Sequence, residues 1–264
     1  MNHAGPAPPF ETGAISHPGR VRSHNEDNLV TRPEFGLWAV ADGMGGHENG
    51  AMASATVAAA LDGIGPAISA ADLLARLERS VLAANAELRR RAHEQAGATM
   101  GSTLAVLLVH GSHFACLWSG DSRIYLVRHG YITQISRDHT EVQDMMDRGL
   151  LSAEEARNWP RRHVITRAIG VHDLPSLDID HGELEGGDTF VLCSDGLTGH
   201  VEDDEILRAA SGADAQGACD ALLALTLERG ATDNVTVVIV RYHQDRRVQT
   251  RWMPNMRQPK NEAT

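Results

Sequence analysis

The sequence predicts a layered α/β protein of the α+β kind, in which antiparallel sheets are covered from outside by helices. Three observations predict it. Short β-branched runs at 103–109 and 113–118, and again at 124–128 and 131–135, are separated by the turn-length pairs Gly111-Ser112 and His129-Gly130, a pattern of hairpins and not of repeated βαβ units. Helical periodicity is confined to a few longer stretches between such runs. With 264 residues and a hydrophobic fraction of 42%, the chain can bury one substantial core, so a single domain over 12–242 is expected.

Taken in chain order, residues 1–11 are polar and proline-containing and are expected to be flexible. The first strand signal falls at 37–41, Leu-Trp-Ala-Val-Ala, and an alanine-rich helix is expected at 51–61. A longer helix is predicted at 71–95, because Leu73, Leu77, Val81, Ala84 and Leu88 recur at helical spacing and define one buried face. After the two hairpins, residues 137–169 hold charged, weakly apolar helical stretches around Gly149 and a turn near Trp159-Pro160, a composition suited to an inserted surface subregion. Strands are expected at 189–193 and 235–242, with a helix at 215–228 between them that places Ala218, Leu222 and Leu225 on one face. Residues 243–264 carry Arg246, Arg247, Arg251, Arg257 and Lys260 beside Pro254 and Pro259, too little apolar area to fold alone, and are expected to form a flexible basic tail.

Composition excludes several classes of function. A net charge of −11 opposes binding to the phosphate backbone of nucleic acids, which demands a positive surface. No apolar stretch approaches the roughly 18 residues of a membrane span, and the N-terminus shows neither a basic nor an apolar leader region, so a cytoplasmic location is expected. Cys116, Cys193 and Cys219 have no metal-ligand or disulfide spacing, and the first and second lie in strand-like runs, as buried reduced thiols do.

The chemistry is concentrated in carboxylates at strand ends. GLWAVADG ends on Asp42-Gly43 and TFVLCSDG on Asp195-Gly196, while Asp233-Asn234 stands directly before a very apolar strand. Asp-Gly is ordinary turn chemistry, so either pair alone carries little. Three such carboxylates delivered to one sheet edge would repel one another unless a cation compensated them, and a hard divalent ion such as Mg2+ or Mn2+ requires that kind of oxygen donor set. The heptad VRSHNED adds Glu26 and Asp27 beside Arg22, whose guanidinium suits bidentate phosphate binding. The turn after Asp42, GMGGH, permits close backbone approach to a ligand, with the Gly43 carbonyl as a further donor.

The ordered set VRSHNEDN, VADGMGGH, GSTL, SGDSRIYL, RDHT, VITRAIG, CSDGLTG and TDNVTVV resembles the metal-dependent protein phosphatases, the PPM or 2C-type Ser/Thr phosphatases, in their compact bacterial form. The resemblance covers 12–242. It implies a four-layer αββα sandwich, two central antiparallel sheets flanked by helices, with a binuclear Mn2+ or Mg2+ centre at one end and a flap over about 137–169. It further implies that Asp42 bridges two ions, that Asp195 and Asp233 hold the first, and that Gly43 and Glu26 serve the second. Asp27 would orient the attacking water, Arg22 would bind the phosphoryl group, and Asp121 with Asp195 would form a weaker third metal site. Gly101, Ser102 and Thr103 are expected to pack behind the centre, and His139 and Arg167 to anchor the surrounding loop.

The implied function is hydrolysis of phosphoserine and phosphothreonine on proteins by water activated between paired cations, opposing a bacterial Ser/Thr kinase, in a monomer. Alternatives are a metal-dependent hydrolase of small phosphate esters and a catalytically silent module that binds phosphoproteins. Two departures bear on mechanism. Met44 stands where eukaryotic relatives carry a histidine, which leaves protonation of the leaving group to water, with His47 as the alternative. Asn158-Trp159 replaces a histidine that often precedes the flap proline, and Arg161, Arg162 and His163 offer positive charge there to acidic phosphopeptides.

Overall fold

The structure is a computed structural model that describes residues 9–95, 98–212 and 214–243, without the His47 side chain. Residues 244–264 of the basic tail, together with 1–8, lie outside the described residues.

Two antiparallel sheets form the centre. The first runs β2 (Asp27–Arg32), β3 (Leu37–Met44), β5 (Leu104–His110), β6 (His113–Ser119) and β9 (Asp178–Glu183), with the two-residue β4 (Gly101–Ser102) added to the end of β3. The second runs β1 (Phe10–His17), β11 (Val235–Tyr242), β10 (Thr189–Cys193), β7 (Arg123–Arg128) and β8 (Tyr131–Gln134). Both predicted hairpins are present, and His129 and Gly130 at the β7–β8 turn both adopt positive φ, 53° and 80°, the twist that a two-residue hairpin requires.

Alternation along the strands divides the core into three layers. Trp38, Val40, Ala105 and Leu107 from the first sheet meet Ile124, Phe190, Leu192, Val238 and Val240 from the second. On the outer face of the first sheet, Leu37, Ala39 and Ala41 pack against α1 (His47–Asp62) and α2 (Ala70–Glu94). On the outer face of the second, Val191, Cys193, Val237 and Ile239 pack against α6 (Asp203–Ser211) and α7 (Ala215–Glu228). The result is helix, sheet, sheet, helix, as the resemblance implied. Helix α2 starts at Ser69, whose hydroxyl accepts from the Asp72 amide at 3.1 Å, and buries Leu73, Leu77, Val81, Ala84 and Leu88, the face predicted from spacing. All three cysteines are free and buried. Among the described residues no helix is long and apolar enough to cross a membrane.

The expected N-terminal boundary is corrected. Phe10 and Glu11 belong to β1, paired with Tyr242 and Arg241, and the Phe10 ring meets Trp38 at 5.1 Å and Tyr242 at 5.3 Å. β1 and β9 escape prediction because their sequences, FETGAISH and DIDHGE, mix polar residues and glycine, as sheet edges do. Within 137–169 two short helices, α3 (Glu141–Asp147) and α4 (Ala153–Arg157), flank Gly149, which turns at φ 68°.

Candidate metal centre

The acidic site is assembled at one end of the inter-sheet space. Asp27 and Asp42 are register partners across β2 and β3, so their side chains leave the same face of the sheet. That face is the one on which Leu29, Trp38 and Val40 meet the second sheet. Across the gap, Ser194 follows β10 and donates its hydroxyl to Asp27 Oδ2 at 2.7 Å. Asp195 opens the short helix α5 (Asp195–Thr198), so the second Asp-Gly pair is a helix start and not a simple turn. Asp233 precedes β11, and Asp121 lies in the bend between β6 and β7.

Their mutual proximity is written in their electrostatics. Burial first, then the charges of Asp27, Asp195, Asp121 and Asp233, hold the Asp42 carboxyl well above the ordinary carboxylate range. Asp27, 5% exposed, is pushed up to about 7, chiefly by burial and against the hydrogen bonds it accepts. Asp121, 6% exposed, is also raised by burial and then by Asp195. Among the described residues no group of three or more His, Cys, Asp or Glu side chains is drawn into a finished metal cage. The carboxylates form an open cluster instead, and Asp233 is engaged by Arg22, Nη2 to Oδ2 at 2.8 Å.

Whether the residues suit a hard divalent cation can be tested on three features. Asp27 Oδ1 and Asp121 Oδ1 are buried oxygens with no hydrogen-bond partner, a costly arrangement for a carboxylate without a cation to meet it. A Cβ at Gly43 would lie 2.0 Å from the Gly50 carbonyl oxygen, so only glycine lets this backbone pass beside Asp42. The donor set is wholly oxygen, the chemistry of Mg2+ or Mn2+. The residues fit.

The supporting contacts explain the rigidity. Thr103 Oγ1 accepts from the Asp42 amide at 3.0 Å and bonds Ser122 Oγ at 2.7 Å, while the Thr103 amide donates to Asp42 O at 2.8 Å. Gly43 donates its amide to Glu26 O at 3.1 Å and pairs with Ser102 of β4. Asn234 organises the loop that carries Arg22: its Oδ1 accepts from the Glu26 amide at 2.7 Å, and its Nδ2 donates to Pro18 O at 3.0 Å and His24 O at 2.9 Å. Prediction from sequence missed Asn234 and Ser194 as functional residues, although the TDN and CSD triplets that carry them were the available signal.

Arg22 borders a cavity of about 420 Å3 lined also by Val21, Ser23, His24, Glu26 and Thr232. His163, within 137–169, places Nδ1 3.6 Å from Asp195 Oδ2. Arg161 is bound to Glu141 at 2.7 Å and is not freely available to a ligand. A second cavity, about 270 Å3 and largely apolar, lies between the start of α2 and β9 with no carboxylate in its lining. The His47 side chain lies outside the described residues.

Comparison with known proteins places these features. The family model of protein phosphatase 2C matches residues 20–233. The serine/threonine protein phosphatase PstP of Mycobacterium tuberculosis is 40% identical over 228 residues, covering 86% of this chain and 44% of that protein, so the chain spans less than half the length of this relative. Among solved structures, PppA, described as a key regulatory component of T6SS in Pseudomonas aeruginosa, superposes with a TM-score of 0.83 at 39% identity over 88% of this chain and 97% of the other. The catalytic domain of PstP in complex with two manganese ions superposes with a TM-score of 0.80 at 36% identity, over 89% and 99%.

Proposed function

The chain belongs to the protein phosphatase 2C family, the metal-dependent PPM phosphatases, and on that footing we propose that it hydrolyses phosphoserine and phosphothreonine on proteins. One observation carries the proposal: buried, unpartnered carboxylate oxygens on Asp27 and Asp121 gather around Asp42 at the end of the sandwich, beside an arginine and an open cavity.

In this proposal Asp42 would be shared by two cations, Asp195 and Asp233 would hold the first, the Gly43 carbonyl and Glu26 would serve the second, and Asp121 with Asp195 would hold a weaker third. Bound Mn2+ or Mg2+ supplies the Lewis acidity that makes water a nucleophile near neutral pH and neutralises phosphoryl charge. Asp27, held through Oδ2 by Ser194, keeps Oδ1 free to accept a hydrogen bond from the attacking water and orient it. Arg22 exchanges its exposed contact with Asp233 for the phosphoryl oxygens, a cheap exchange because that ion pair is half open to solvent. No covalent phosphoenzyme is needed. Phosphorylated proteins are the substrates, a Ser/Thr kinase is the opposing partner, and the chain acts as a monomer in the cytoplasm.

The test is hydrolysis of a phosphothreonine peptide and of p-nitrophenyl phosphate, with Mn2+ and with chelator, by the wild-type chain and Asp195→Ala. Metal-dependent turnover that favours the peptide and disappears in the variant is expected. Preference for the small ester would favour the alternative hydrolase, and turnover surviving both chelation and the substitution would overturn the metal mechanism.

A further inference from the structure

Strand β9 is the outer strand of the first sheet, and its first residue, Asp178, is joined to residues 39 and 11 positions before it in the chain. Its Oδ1 accepts from Arg167 Nη1 at 2.7 Å, and its Oδ2 lies 3.1 Å from His139 Nε2. The direction of the second bond follows from the other side of the ring. The Gly120 amide donates to His139 Nδ1 at 3.1 Å, so Nδ1 is the acceptor and the proton sits on Nε2, which donates to Asp178. Arg167 Nη1 and His139 Nε2, 3.3 Å apart, are thus two donors converging on one carboxylate.

The segments so joined are the two stems of the flap. His139 belongs to the outgoing stem, where Thr140 bridges Ile165, and its carbonyl accepts from the Thr166 amide at 2.8 Å. Arg167 belongs to the returning stem, which continues to Ile169 and exchanges two backbone bonds of 2.9 Å with Ser102, the partner of Gly43. Four residues before Arg167, His163 stands against Asp195. Arg167 therefore stands in the chain between His163, which reaches Asp195, and Ile169, which bonds Ser102. His139 is 5% exposed, stacked on Trp118 with centroids 6.4 Å apart, so its orientation leaves no slack. The Asp178 and Arg167 side chains are 42% and 41% exposed, so their ion pair alone is solvent-screened, and the buried imidazole makes the junction definite.

We propose that Asp178 is a positioning residue for phosphoprotein recognition, clamping His139 and Arg167 so that the flap is set beside the metal centre. This rests on the phosphatase function proposed above. The side chains of Asp178, His139 and Arg167 bond neither the carboxylates of the acidic cluster nor Arg22, and His139 approaches that cluster only through the backbone of Gly120, next to Asp121, so the clamp acts mainly on substrates large enough to meet the flap and little on a small ester.

The experiment compares wild type with Asp178→Asn, which preserves volume but presents an amide donor to one of the two donors. For a phosphothreonine peptide with Mn2+, KM is expected to rise about fivefold to tenfold with kcat within about twofold, while KM for p-nitrophenyl phosphate stays within about twofold. Calorimetric Mn2+ affinity and melting temperature are expected to match wild type. Arg167→Gln combined with Asp178→Asn is expected to add little to the single change, because both remove one junction. Equal losses on both substrates, unchanged kinetics on both, or additive effects in the double variant would overturn the assignment. If the wild-type chain hydrolyses neither substrate, the phosphatase function fails, and hydrogen exchange judges the clamp by itself. Faster exchange of the Gly120 and Thr166 amides in Asp178→Asn would support it, and unchanged exchange would refute it.

Discussion

Gly43 has no room for a side chain, since a Cβ there would lie 2.0 Å and 2.7 Å from the backbone oxygens of Gly50 and Glu26, which cannot rotate aside. Gly43→Ala is therefore expected to destabilise the fold by about 1–3 kcal/mol and to lower Mn2+ affinity, measurable by thermal melting and calorimetry. Arg22 presents the opposite case. Its side chain is 53% exposed and its contact with Asp233 contributes little to stability, so Arg22→Ala should leave the melting temperature unchanged. The same variant should raise KM for a phosphopeptide about tenfold with Mn2+ affinity retained, and an unchanged KM would remove Arg22 from phosphate binding. Arg22 and Asp42 were legible in sequence because a guanidinium and a strand-end carboxylate in an ordered motif set have few other uses. Asn234 and Ser194 were not, because their value lies in which distant backbone or carboxylate they reach.

Helix α2 covers the first sheet with a face of Leu73, Leu77, Val81, Ala84 and Leu88. Leu77 is fully buried, so Leu77→Ala should cost about 2–5 kcal/mol, read from a denaturant midpoint, without changing the Mn2+ requirement of catalysis. The periodicity of this helix was plain in sequence because its pattern, from Leu73 to Leu88, extends over about four turns. Edge strands are different. β9 carries Asp178, Asp180, His181 and Glu183 on a solvent-facing rim, where no apolar alternation marks it and charge discourages pairing with another chain. The same strand places Asp178 where it bonds both His139 and Arg167.

Across the whole molecule, the concentration of raised carboxyl groups has a consequence for stability. Asp27, Asp42 and Asp121 hold their protons to higher pH in the folded chain than an unfolded chain would, mainly through burial. The folded state then binds more protons than the unfolded one above the ordinary carboxylate range, so stability falls as pH rises through that range towards the folded value, about 7 for Asp27. In chelator, the melting temperature is expected to drop between about pH 5 and 8, and added Mn2+ should abolish the drop because a cation takes the place of the protons. A chelated protein whose melting temperature is flat or rises over that interval would show that burial does not hold these carboxyl groups protonated in the folded chain.

The sequence by itself determined the layered class, the two hairpins, the buried face of α2, the exact span of β10 and β11, and the identity of the acidic residues. Each of these is encoded locally, by alternation, helical spacing, turn residues or motif order. Only the tertiary structure decided that Asp27 stands opposite Asp42, that Asp195 begins a helix, that Phe10 and Glu11 complete the second sheet, and that Asp178 joins His139 to Arg167. Apart from the local helix start at Asp195, those facts depend on strand register and on contacts between separate segments of the chain. The free energy that selects them comes from burying three apolar layers at once, which no local segment can express.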